Sequence, residues 1–342
     1  MLKWYEKSGR NDDVIISSRL RLARNFNNYM FAEKLQDEDA ITMVNSVVRS
    51  FEKDFPNDYE CFFMNNCNDV RKNALKEKRI ISSYLAGGKN GAVLLSRDES
   101  ASVSVNAEDH IRIQVLSNGM NLQNCYKKAN EIDDYIDANF DYAFDEKYGY
   151  KTTYPTNTGT GMKAGYTLHL PALSDAKRLN DISTELGRFG YKIKNVYGDG
   201  QNVYGHLYQI ASQKTLGQEE QEIIRDLDDI VIQIVNQERE QRDYFYKKDK
   251  IQMEDEIFKS YGVLKYARKL SLKDSMLLIS EFMMGLSLGV LSIADGKKFN
   301  VNELIMNIQP AVLNSSAKKA MSVAETDIAR AQYIRTCIPE II

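Results

Sequence analysis

Hydrophobic and polar positions alternate from Ser102 to Val115, SVSVNAEDHIRIQV. Val103, Val105, Ala107, Ile111, Ile113 and Val115 share one parity, interrupted only by Asp109. Ser102, Ser104, Asn106, Glu108, His110, Arg112 and Gln114 share the other. Successive side chains of a strand point to opposite faces. The alternation therefore predicts one strand with an apolar face and a face bearing an acid, an imidazole and a guanidinium at two-residue steps. A half-buried strand with a solvated outer face alternates in the same way, so this segment alone leaves both readings open. Residues 13 to 26, DVIISSRLRLARNF, repeat the pattern. Ile16, Ser18, Leu20 and Leu22 fall on one side, and Ser17, Arg19 and Arg21 on the other. Two neighbouring guanidiniums repel unless an anion lies between them, and the planar fork of arginine matches phosphate oxygens. A plain basic surface is the alternative.

Periodicities near 3.6 residues predict helices over 38–54, 122–139 and 172–189, the last ending at Gly190. Short strands are expected over 59–66, 91–97, 166–170 and 191–196. Turn chemistry marks 86–91, Asn118-Gly119, the Thr- and Gly-dense run 156–161 and the loop 197–200. A loop such as 156–161 can bring backbone N–H groups close to a ligand. Lys163 stands just beyond it, and Lys194 just before the loop at 197. After Gly217 the strand signals stop. A long charged helix over 219–250 is followed by helical patterns at 251–268, 272–292, 301–308 and 317–336. The expected class is α+β: an antiparallel sheet flanked by helices over residues 1–235, then an all-α domain over 236–342.

Composition narrows the classes of function. The 342 residues are 43% hydrophobic and 27% charged, enough for a substantial core. Forty-five basic residues against 48 acidic ones give no general attraction for nucleic acid or anionic membranes. Cys61, Cys67, Cys125 and Cys337 form no CxxC pair, and with three histidines they make no zinc pattern, so reduced thiols and no protein-held metal are expected. The leader MLKWYEKSGRNDD lacks a signal-peptide core. The apolar run 276–294 contains Glu281 and suits a buried bundle helix better than a membrane span. Gly200 and Gly205 are spaced as in a Walker A loop, but His206-Leu207 replaces its Lys-Ser/Thr ending, which excludes a P-loop.

Taken together, three blocks resemble the ATP:guanidino phosphotransferases. SSRLRLARN matches that family's SSRxRxxRN, VNAEDHIRIQ its NEEDHxR block, and PTNTGTGMKAGYTLHLPAL its CPTNxGTGxRAxVxLxLP block. Within the family the chain is similar to the bacterial protein-arginine kinases (McsB type). Only a short leader precedes Arg19, where metabolite kinases carry a helical domain, and the tail TDIARAQYIRTCIPE resembles the protein kinases' C-terminal domain. The resemblance implies transfer of the γ-phosphoryl group of Mg-ATP to arginine guanidinium groups in proteins. It makes Glu108 the catalytic carboxylate. It assigns Ser17, Ser18, Arg19, Arg21, His110, Arg112, Lys163 and Lys194 to the nucleotide. Lys163 and Lys194 stand where the family has arginine. Ala107 replaces the first Glu of NEEDH and Tyr154 the Cys of CPTN, both on the substrate side. Asp327 and Arg330 fit the family's phosphoarginine-binding RDxxRA motif, whose first arginine is here Thr326. The resemblance further implies protein substrates with exposed arginines, a stress-gene repressor among them, a zinc-binding activator, a Clp ATPase–protease, a homodimer and a cytoplasmic setting. A catalytically impaired regulatory homologue and a kinase for a small guanidino compound are the alternatives.

Overall fold

A computed structural model describes residues 2–342 apart from 32–33, 200–201, 295–298 and 318–319. Gly200 of the Walker-like spacing thus lies outside the described residues. Eight strands form one sheet: β1 Ile15–Arg24, β2 Tyr59–Phe63, β3 Ala92–Ser96, β4 Ala101–Val105, β5 Ile111–Asn118, β6 Met162–His169, β7 Tyr191–Asn195 and β8 Leu207–Ser212. Their spatial order is β2-β3-β4-β5-β1-β6-β8-β7, and every neighbouring pair is antiparallel. The alternating segment 15–24 is thus the inner strand between β5 and β6.

From Ser18 onward the even-numbered side chains of β1 face the covering helices; a register irregularity between Ile15 and Ser17 puts Ile15 in that layer and Ile16 outside it, against the alternation expected from the sequence. Leu20 and Leu22 are fully buried among residues of α1 (Asp37–Asp54), α4 (Leu122–Asn139), α6 (Leu179–Arg188) and α7 (Glu220–Lys248). Val44, Val47, Val48 and Phe51 of α1, and Leu122, Cys125, Ala129, Ile132 and Ile136 of α4, recur at helical spacing and fill this layer. Each large apolar side chain buried there contributes about 1.5–3 kcal/mol.

Two sequence expectations change here. Residues 102–115 are not one strand: β4 and β5 form a hairpin whose turn is 106–110. Asn106 takes a left-handed φ of 57°, and its N–H donates to the His110 carbonyl at 2.8 Å. Asparagine tolerates that conformation, so a turn forms without glycine. The region between 66 and 86 also contains two short helices, α2 (Asp69–Glu77) and α3 (Ser83–Gly87). The expected helix 172–189 is divided into α5 (Pro171–Asp175) and α6, with Lys177 at φ 57° between them.

Helix α7 runs without a break through position 235, and one residue, Asp249, separates it from α8 (Lys250–Tyr266). With α9 (Leu272–Ser287), α10 (Val301–Asn307) and α12 (Val323–Cys337), α8 forms a second core around Ile257, Leu264, Ile279, Phe282, Leu304 and Ile334, while α11 (Pro310–Ser316) packs on α2. Ile16 and Leu207 of the sheet join that core. The apolar run at 276–294 ends as a helix at Ser287, and among the described residues no helix is long and apolar enough to cross a membrane.

Candidate active site

The odd-numbered residues of β1 place Arg19 and Arg21 on the face opposite the helical layer. Arg21 pairs with Gln114 on β5 and with Lys163 on β6, so the three side chains share that face. Lys163 is thus a strand residue, because β6 begins four residues earlier than the apolar pattern indicated. Thr167 on β6 pairs with Gln209 on β8, which pairs with Lys194 on β7. Ala23 pairs with Arg112. The sheet register alone therefore gathers Arg19, Arg21, Arg112, Lys163 and Lys194.

Their electrostatics show how close these cations are. Burial, then Arg21, Arg79 and Arg112, hold the Arg19 guanidinium well below the usual arginine range. Arg21 is lowered to about 10 by burial and Arg112, with Glu108 opposing. Lys163 is lowered to about 8 by burial and Arg21. Lys194 is lowered by burial and by Arg19, Arg21 and Arg79. Several donors are also unused. Arg112 Nε is buried without a partner, and Arg21 has no hydrogen-bond acceptor among the described residues. Arg19 donates through Nε to Gln114 Oε1 at 2.8 Å and through Nη2 to the same oxygen, and Lys163 Nζ donates to the Gln213 carbonyl. A cluster of repelling cations with spare N–H groups fits a polyanion rich in acceptor oxygens.

Glu108 sits at the tip of the 106–110 turn. Its Oε2 accepts from Arg112 Nη1 at 3.2 Å and from Ser82 Oγ at 3.0 Å, which leaves Oε1 without a donor among the described residues. The turn is fixed to the end of β1. Asn25 Oδ1 accepts from the His110 N–H at 2.9 Å, and Asn25 Nδ2 donates to Asp109 Oδ1 at 2.8 Å. Asp109 Oδ1 also accepts the Thr153 N–H at 2.7 Å, which brings the segment of half-exposed Tyr154 beside the turn.

Other expected residues are placed elsewhere. Ser17 lies on the cationic face, but Ser18 shares the parity of Leu20 and points the other way. Its hydroxyl donates to the Gly119 carbonyl at 2.6 Å and accepts from the Asn121 N–H at 2.8 Å, pinning the turn between β5 and α4. His110 is 0% exposed. Its Nδ1 accepts from the Phe26 N–H and its Nε2 meets the Met30 carbonyl, so both ring nitrogens are occupied by backbone. The turn cancels the parity argument that had put it beside Arg112. Ala107 is buried against Ile80, Leu85 and Val93. The loop 156–161 spends its backbone internally, for example Thr160 N–H to the Thr215 carbonyl and the Gly161 carbonyl to Ala23 N–H. Gly161 has φ 64°, and a Cβ there would lie 2.6 Å from the Ala23 oxygen. In the helical tail, Arg330 is 2% exposed and donates to the Ile308 and Leu270 carbonyls and to Asp327 Oδ1.

Sequence reasoning missed Arg79. It follows α2 with φ 60°, acts on Arg19, Arg21 and Lys194, and lies 5.6 Å from the Tyr197 ring. It also missed Gln114 as the bridge between Arg19 and the Arg79 carbonyl, which accepts Gln114 Nε2 at 2.7 Å. Alternation could have flagged Gln114, whereas nothing periodic surrounds Arg79. Among the described residues, no group of three or more His, Cys, Asp or Glu is placed to hold a metal ion.

Residues 40–241 match the ATP:guanido phosphotransferase C-terminal catalytic domain. The chain belongs to the ATP:guanido phosphotransferase family. Residues 250–341 of this phosphotransferase match the protein-arginine kinase McsB C-terminal domain. It is 38% identical over 340 residues to the protein-arginine kinase of Bacillus velezensis, covering 97% of this chain and 92% of that one. The protein-arginine kinase of Staphylococcus haemolyticus is 39% identical over 320 residues, covering 93% of each. Among solved structures, a lombricine kinase superposes with a TM-score of 0.60 at 16% identity, over 68% of each chain, which shows a shared fold. The α+β architecture expected from the sequence, an antiparallel sheet flanked by helices with a helical C-terminal region, is the one observed.

Proposed function

We propose that this enzyme is a protein-arginine kinase, transferring the γ-phosphoryl group of ATP to a guanidinium nitrogen of arginine residues in proteins. The observation that carries the reading is the convergence of Arg19, Arg21, Arg79, Arg112, Lys163 and Lys194 on one sheet face, with Glu108 offsetting them. A transferring phosphoryl group spreads negative charge over its oxygens, so catalysis rests on position and electrostatic stabilisation. The cations supply both, because their N–H groups are already oriented by the sheet. The guanidinium nitrogen attacks the γ-phosphorus, the bond to the bridging oxygen of ADP breaks, and the nitrogen loses one proton. Glu108 is the group to receive it: its Oε2 is held by Arg112 and Ser82, and Oε1 is available to the incoming guanidinium. Magnesium, when bound with ATP, would be held by phosphate oxygens and would neutralise part of their charge.

The division into a catalytic unit, 1–235, and a helical unit, 236–342, belongs to this reading. So do substrates with exposed arginines, a stress-gene repressor among them, a homodimer, a zinc-binding activator, a Clp ATPase–protease and a cytoplasmic setting. Mixing the protein with Mg-ATP and a basic protein should yield acid-labile phosphate on arginines, read by mass spectrometry under neutral or basic conditions. ATP binding without transfer would identify an impaired homologue. Transfer to free arginine alone would identify a kinase for a small guanidino compound.

Lys163 gives a pH test. Burial and Arg21 hold its ammonium near 8, below an unfolded lysine, so the charge is present well below pH 8 and lost as pH rises through it. The profile of kcat/KM for ATP reports the ionisations of the free enzyme. It should fall across about pH 8 in the wild type and stay flat there in Lys163→Arg, whose guanidinium remains charged. For the ligand-free fold the sign is opposite. The depressed value means that Lys163 destabilises the fold below pH 8, and this cost fades as pH rises further.

A further inference from the structure

We propose that Glu77 is a positioning residue that ties the C-terminal helices to the phosphate-binding cations through Arg79. The inference rests on the kinase reading above and deepens it. Helix α11 begins Pro310-Ala311-Val312, and its N-cap residue Gln309 makes no side-chain cap. The exposed donors of its first turn are satisfied from a distant part of the chain. Glu77 Oε2 accepts the Ala311 N–H at 2.7 Å and the Val312 N–H at 3.2 Å. A carboxylate there satisfies orphan amides and the helix dipole together. The nearby Arg330 guanidinium adds an attraction for the same carboxylate.

Glu77 is the last residue of α2, and two positions later the chain turns through Arg79 in the left-handed region. The Arg79 N–H bonds to the Lys76 carbonyl at 2.9 Å, and the Arg79 carbonyl accepts Gln114 Nε2 at 2.7 Å. The Oε1 of that same Gln114 holds Arg19. Two sets of hydrogen bonds, α11 to Glu77 and Arg79 through Gln114 to Arg19, are thus joined by the backbone of residues 77–79. Fixing α2 at its C-terminal end fixes where Arg79 enters the cation cluster.

The test compares full-length wild type, Glu77→Ala, Glu77→Gln, Arg79→Ala and the Glu77→Ala/Arg79→Ala double variant. In the ligand-free proteins, Glu77→Ala should raise amide hydrogen exchange both in 310–316 and in 78–82. It should raise the KM for ATP about tenfold with a much smaller change in kcat, and Glu77→Gln, which keeps an acceptor oxygen, should recover most of it. The double variant should bind ATP no worse than Arg79→Ala alone, because both changes disable one device. Faster exchange in 310–316 with 78–82 unchanged, or losses in ATP binding that add, would reduce Glu77 to a local cap and overturn the proposal. A wild-type chain that binds no ATP would overturn the kinase reading instead, and the exchange comparison would still judge the Glu77 connection.

Discussion

Glu108→Gln should lower kcat by about 10²–10⁴-fold, roughly 3–5 kcal/mol of transition-state stabilisation, while leaving ATP binding within about twofold. The amide keeps the shape of the turn tip and an acceptor oxygen for Ser82 Oγ and Arg112 Nη1, so the turn itself should not move. What it loses is the capacity to take a proton. The defect belongs in kcat because the group acts on the guanidinium as it reacts, not on the phosphates that anchor ATP. Single-turnover phosphoryl transfer alongside calorimetric ATP binding checks this. Equal losses in binding and turnover would move Glu108 from proton acceptor to a merely structural partner of Arg112.

Arg21→Met is expected to divide activity from stability. Removing one cation from the cluster should reduce kcat/KM for ATP by about 10²–10³-fold, the scale seen when one preorganised donor is lost from a charge-stabilising site. The ligand-free melting temperature should rise. Arg21 has no hydrogen-bond acceptor among the described residues, and burial with Arg112 lowers its ionisation to about 10. A lowered value for a cation means that the folded state disfavours the charge. The cost is fully present below pH 10 and fades above it, so the gain in stability should be the same at pH 5 and pH 6, where Lys163 is also fully charged. Methionine keeps the alkyl stem without the repulsion. Thermal denaturation beside steady-state kinetics tests both halves, and a fall in both would show that Arg21 supports the fold.

The inner strand and its arginines were legible because burial and register obey one rule there. Leu20 and Leu22 had to face the helices, which left Arg19 and Arg21 together on the other side. The same rule was available for Ser18, whose parity with Leu20 already pointed it away from the arginines. Extending the rule to His110 failed because residues 106–110 turn the chain back, with Glu108, Asp109 and His110 as three polar residues in a row. Asn106, a residue that tolerates positive φ, and the break in alternation at Asp109 were the local hints. Arg79 was illegible for another reason. Its surroundings, Lys76 to Arg79, are simply charged, and only the tertiary contacts with Gln114 and Tyr197 give it a place. The roles of Lys163 and Lys194 depended on pairing across three strands, which no single segment encodes.

The placement of β1 has a consequence for how the chain can change in length. From Ser17 to Leu22 its side chains repeat every two residues, and it is paired along both margins. Adding or deleting one residue between Ser17 and Leu22 would exchange its two faces, driving Arg19 and Arg21 into the oily layer or turning Leu20 and Leu22 to the cationic face. The irregularity between Ile15 and Ser17 absorbs such a frameshift at the start of this strand; the doubly paired stretch from Ser17 to Leu22 has nowhere to put it.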